Sequence, residues 1–225
     1  MSAWPEGEFV LPLFPLPNLV FFPETRLPLH VFEPRYRQLV SDVVSSDKRF
    51  GIVLLRPGWE ADYFGTPATH LTGTVGEIEH VASLDDGKYN ILVRGQVRFR
   101  IVGEVHRELD REPYRTARVV AQPQAERSAN DAYAQRTWLA ELARQYLKHL
   151  PEQDGVPEIE TVGLEALTNA LIMSLNLDSE EKQRLLENDD LIARAETIGN
   201  DLQTRIESLR FLAPYRKGGG DPSRN

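Results

Sequence analysis

The sequence predicts an α+β fold, a β-rich front half followed by an all-helical back half. Two observations carry this. The first half is built of short apolar runs, alternating or continuous, punctuated by glycine and proline. From about residue 127 the composition shifts to Ala, Leu, Glu, Gln and Arg, all good helix formers, with apolar residues at helical spacing. The change falls near Gln122-Pro123-Gln124. The expected organisation is a β-rich domain over 1–122, a helical bundle domain over 123–214 and a flexible tail over 215–225.

Phe9-Val10-Leu11 and Leu13-Phe14 form the first extended run. Pro12 inside it suggests an edge strand or a bulge, because proline donates no ladder hydrogen bond. Residues 27–32 form a second short run. Pro34 then opens a helix, where a missing N–H costs nothing, and Tyr36, Leu39, Val40, Val43 and Val44 give it one apolar face. Residues 50–55 read as a buried strand and 56–70 as a loop without a period. Val75, Ile78 and Val81 belong to an extended segment in which Gly73 and Gly76 permit bulges. Asp85-Asp86-Gly87 is a hairpin signal leading into runs at 89–93 and 97–102. In the second run Val97, Phe99 and Ile101 alternate with Arg98 and Arg100. Residues 114–120 make a last strand, and so many short strands with frequent turns suggest a curved, barrel-like sheet.

In the back half, a long helix is expected over 132–150, with Trp138 and Tyr146 as core residues, then a linker over 151–157. A second, apolar helix spans 159–175. Asp178 followed by Glu181 resembles a capping box that starts a third. Leu191, Ala195, Ile198, Leu202, Leu209 and Leu212 mark a final helix with a seam along one side.

Composition narrows the function. The 225 residues contain no cysteine, which excludes disulfides, thiolate metal sites, iron–sulfur clusters and thiol nucleophiles. A formal net charge of −8 opposes binding to phosphate backbones or anionic lipid. The start lacks the pattern of a signal peptide and no apolar run is long enough to span a bilayer, so a cytoplasmic location is expected and a membrane partner is not.

The search for chemistry returns structural readings. Gly87-Lys88 is followed by Tyr89, so the phosphate-cradling pattern is missing, and no cofactor is expected. Ser174 and Lys182 lack oxyanion-hole glycines, and no catalytic residue is assigned. His30, His70, His80, His106 and His149 show no ligand spacing, so no metal site is expected, although His70, His80 and Asp62 could converge. Acidic pairs fall at a turn and at helix starts, where they complement the backbone. Arg35 could meet a ligand carboxylate, but pairing within the fold is the preferred reading. The loop is the better candidate: Trp59, Tyr63 and Phe64 stand in a polar stretch where no period requires them, as loop aromatics that anchor polypeptide partners do.

Residues 11–18, Phe22-Pro23, Leu27-Pro28-Leu29 and Phe32-Glu33-Pro34-Arg35-Tyr36 resemble the opening of the Lon-type N-terminal substrate-binding domain, most closely its stand-alone bacterial version. Gly73-Thr74-Val75, Asp86-Gly87, Val93-Arg94-Gly95 and Arg98-Phe99 resemble the second sheet segment, and Leu175-Asn176-Leu177 with Glu181-Lys182-Gln183 resembles the helical segment that follows. The resemblance implies a PUA-like β-barrel and a helical bundle. It also implies a non-catalytic module that recognises unfolded or apolar-rich polypeptides, an adaptor or chaperone-like protein of quality control that works beside a protease or chaperone. The family's ATPase and protease domains would lie beyond the last residue of this chain. The alternative is an RNA-binding PUA-like protein, which the acidic charge opposes.

Overall fold

Alternation in the front half builds six strands: β1 (Glu8–Leu16), β2 (Arg26–Val31), β3 (Arg49–Leu55), β4 (Thr69–Ser83), β5 (Tyr89–Val105) and β6 (Thr116–Gln122). One helix, α1 (Pro34–Val44), lies among them, and α2 (Ala129–Leu147), α3 (Leu164–Ser174), α4 (Ser179–Glu187) and α5 (Leu191–Arg216) follow. The structure is a computed structural model and describes residues 4–105, 113–125, 128–149, 159 and 161–216. The α+β class is therefore as the sequence predicts. The expected linker over 151–157 and most of the expected tail lie outside the described residues.

The sheet has the order β2-β5-β4-β3-β1-β6, and β6 pairs again with β5, so the pairings run in a circuit with β2 attached outside it. β1 pairs in parallel with β3, and the remaining pairs are antiparallel. β1 is not an edge strand, contrary to the reading of Pro12. Its register pairs Glu8 to Pro12 with β6 and Leu13 to Leu16 with β3. Each half has one partner, and Pro12 sits at the changeover, so a missing donor is tolerated there.

β4 and β5 are long and continuous where the sequence suggested shorter runs. Register shifts at Val75/Gly76 and Ile78/His80 interrupt the alternation without ending the strands. The turn between them is the expected one. Gly87 has φ +74°, and the Leu84 N–H donates to the Lys88 carbonyl at 2.9 Å. Gly73 is required for another reason: a Cβ there would overlap the Ile52 carbonyl oxygen and stand 2.7 Å from the Phe99 ring.

The chain divides into two compact units, Met1–Glu126 with Ile172–Asp189, and Arg127–Leu171 with Asp190–Asn225. The first holds two apolar clusters. Leu13, Val53, Val75, Val97, Phe99 and Val119 fill one, while Tyr36, Leu39, Val40 and Val43 of α1 join Phe14, Phe50 and Ile52 in the other. α4 belongs to this unit. The Gln183 amide donates to the Thr72 carbonyl at 3.0 Å. Arg98, 2% exposed, donates to the Leu186 and Asn188 carbonyls at 3.0 and 3.3 Å and lies 2.9 Å from the Asp189 carboxylate. A cation at the end of α4 satisfies carbonyls that the helix leaves open. Asp178 caps its start, accepting from the Glu181 N–H at 2.6 Å.

In the second unit Leu139, Ala140 and Ala143 of α2, Leu164 and Leu167 of α3, and Leu191, Ala195, Ile198 and Leu202 of α5 are buried. Trp138 is 36% exposed rather than a core residue, its ring lying against α5 at Gly199. Among the described residues, no helix is long and apolar enough to cross a membrane.

Candidate functional site

Glu33 and Pro34 start α1, and the Glu33 carboxylate, which makes no capping bond, is free to hold a loop. Glu33 Oε1 accepts from the Tyr63 hydroxyl at 2.6 Å, and Oε2 accepts from Arg35 Nε at 3.1 Å. Arg35 Nη2 also donates to the Tyr63 carbonyl at 3.2 Å. The Arg35 guanidinium lies 4.7 Å from the Tyr36 ring centre and 5.1 Å from that of Tyr63. The start of α1 thus pins the loop that links β3 to β4.

Within the loop a short 3₁₀ turn, Trp59–Asp62, follows Gly58, whose φ of +90° starts it. The Trp59 ring meets Tyr63 edge-on at 5.4 Å, and Tyr63 meets Phe64 at 5.2 Å. The three aromatics proposed from sequence are therefore one cluster. Trp59 and Tyr63 are half-buried, whereas Phe64 is 88% exposed.

Tyr63 and Phe64 border a cavity of 560 Å³, and Trp59 backs them without lining it. The remaining lining comes from Pro15 of β1, Arg35 and Tyr36 of α1, Leu55 of β3, the loop from Gly65 to Pro67, Glu104 and Val105 at the end of β5, and Pro113 to Thr116. The volume is within the range of small-ligand pockets. The Tyr36 hydroxyl donates to the Pro15 carbonyl at 3.2 Å, and the Tyr114 hydroxyl to Asp42 Oδ2 at 2.8 Å. Arg115 Nη1 donates to the Pro67 carbonyl at 2.7 Å, and Nη2 pairs with Glu104. Burial pushes the Tyr36 phenol well above the ordinary phenol range. Tyr63 is raised too, first by burial and then by its hydrogen bond to Glu33. Both phenols stay neutral at physiological pH.

Arg35 does both things weighed for it, pairing with Glu33 and lining the cavity. Arg115 and Thr116 gave no signal in the sequence, because they reach the cavity only through the return of the chain into β6. Elsewhere, Lys182 Nζ donates to the Met173 carbonyl at 3.3 Å, and burial lowers its pKa. His70 Nε2 lies 3.1 Å from Glu180 and Nδ1 3.6 Å from Glu187. His30 Nδ1 lies 2.8 Å from the Asn90 side-chain oxygen. Among the described residues no group of three or more His, Cys, Asp and Glu is placed to hold a metal ion.

The family model of the ATP-dependent protease La (LON) substrate-binding domain matches residues 10–203. Lon protease 2 of Myxococcus xanthus is 35% identical over 209 residues, which cover 90% of this chain and 24% of that protein. Lon protease of Anaeromyxobacter dehalogenans is 31% identical over 211 residues, with the same two coverages. The chain spans about a quarter of the length of these curated relatives. Among solved structures, the N-terminal domain of Mycobacterium avium complex Lon protease superposes with a TM-score of 0.69 at 16% identity, over 87% of this chain and 98% of that one. A Lon N-terminal domain protein from Xanthomonas campestris gives 0.60 at 26% identity, over 84% and 96%.

Proposed function

Because the chain belongs to the family of Lon substrate-binding domains, we propose that it works as a non-catalytic polypeptide-recognition module, binding unfolded or apolar-rich chains through the cavity beside the Trp59, Tyr63 and Phe64 cluster. The observation that carries this reading is the exposed Phe64 ring at the border of a cavity walled by aromatic and aliphatic side chains. An exposed aromatic next to a concave apolar wall is the arrangement that anchors protein partners. The circuit of strand pairings is, in this reading, the PUA-like barrel, and the helical unit is the bundle that follows it. The module acts in the cytoplasm as an adaptor, handing the bound chain to a separate protease or chaperone.

Titration of a reduced, permanently unfolded protein against the chain, followed by fluorescence anisotropy, tests the reading. Phe64→Ala is expected to weaken binding about tenfold, the usual effect of truncating an aromatic anchor. Trp59→Ala acts through the position of Tyr63 and is expected to have a smaller effect. Unchanged affinity in both variants would remove the loop from the binding surface.

A further inference from the structure

The cavity contains two hydrogen-bonding atoms that the fold leaves unused. Arg115 Nε and Thr116 Oγ1 are buried, and neither has a hydrogen-bond partner among the described residues. Thr116 is 2% exposed, and both residues line the cavity. A buried polar group without a partner is costly and uncommon, so two adjacent ones in the wall of one cavity call for an explanation. Both can donate, Arg115 through Nε–H and Thr116 through its hydroxyl. Two adjacent donors suit an acceptor oxygen.

The charges around them decide which kind of oxygen. Arg115 is already paired with Glu104, and Arg35 with Glu33. No cation in the wall is left over to compensate an incoming carboxylate, whose desolvation would go unbalanced. An amide carbonyl is polar, uncharged and far cheaper to desolvate. The rest of the wall, with Tyr36, Leu55, Phe64, Pro67 and Val105, accepts an apolar side chain.

We propose that the cavity takes one uncharged, apolar residue from within a polypeptide, its side chain against the aromatic wall and its own backbone carbonyl accepting from Thr116 Oγ1 and Arg115 Nε. This rests on the reading of the cavity as a polypeptide site and adds to it a selection rule: internal, uncharged segments are bound, and chain ends and acidic segments are not. Because the two donors are sealed from water, a bond made to them competes with no solvent.

The probe is an N-acetylated, C-amidated pentapeptide with one central phenylalanine in a serine–glycine background, titrated by calorimetry alongside the unfolded protein used above. Wild type is expected to bind both. Thr116→Val, which keeps the shape and removes the hydroxyl, is expected to weaken the pentapeptide about tenfold, and Thr116→Ser to restore it. Urea denaturation of Thr116→Val is expected to show undiminished stability, because an unpaired buried hydroxyl is lost, which separates a binding effect from misfolding. A pentapeptide cut to end in the phenylalanine carboxylate is expected to bind more weakly. If the unfolded protein binds but Thr116→Val leaves pentapeptide affinity unchanged, or the free carboxylate binds more tightly, the carbonyl assignment is overturned and the polypeptide reading stands. If wild type binds neither, both fall together.

Discussion

The Tyr36 hydroxyl donates to the Pro15 carbonyl in a setting closed to water, and this makes stability depend on alkaline pH. The folded-state pKa lies above the ordinary value of 10.0. Its contribution is therefore complete below pH 10 and declines as pH rises towards the folded-state value, because the unfolded chain ionises first. Tyr36→Phe is expected to cost about 1 kcal/mol at neutral pH through the lost hydrogen bond. It should also flatten the decline in stability above pH 10, measured by urea denaturation at a series of pH values. At this scale the sequence was partly legible. Val97, Phe99 and Ile101 face the core as their alternation implies, and Glu33-Pro34 start a helix as their types imply. Arg98, on the outward side of the same strand, was expected to meet water. It is buried because α4, some 90 residues later, covers it, and no local pattern encodes that.

Among the elements, the long strands depart most from local reading. Glycines and bulges break the two-residue period of β4 and β5, so each reads as separate runs, although pairing carries them through. Gly73 shows what the interruption achieves, since it lets β3 and the Phe99 ring approach β4 at a distance no side chain would permit. Gly73→Ala places a methyl group against backbone, which cannot move aside as a flexible side chain would. A loss of about 3 kcal/mol is expected, at the upper end of overpacking effects, measured from the urea midpoint. The candidate site follows the same rule. Its loop aromatics were legible because nothing local required them, whereas Arg115 and Thr116 join them only because β6 pairs with β1 and β5.

For the whole molecule, the salient fact is that the first unit is discontinuous in sequence. It needs residues 172–189 as well as 1–126, and α4 brings the carbonyls that hold Arg98. A fragment ending at residue 126 retains all six strands but loses those bonds. Amide hydrogen exchange in β4 and β5 is expected to lose protection equivalent to about 1–3 kcal/mol in that fragment relative to the full chain. Equal protection would mean that α4 contributes nothing to the sheet. Composition marks the switch from strands to helices near residue 122, but it carries no information about which helix returns to the strands.

That discontinuity also sets an order of events at the ribosome. Synthesis runs at roughly 5–20 residues per second, so the strands are complete several seconds before α4 emerges. During that interval the face awaiting the helix is not a bare apolar patch. It presents the Arg98 guanidinium, the Thr72 carbonyl and the His70 ring, groups that water solvates well. A half-made sheet can therefore wait without offering a sticky surface to neighbouring nascent chains, and the polar seam doubles as protection during synthesis.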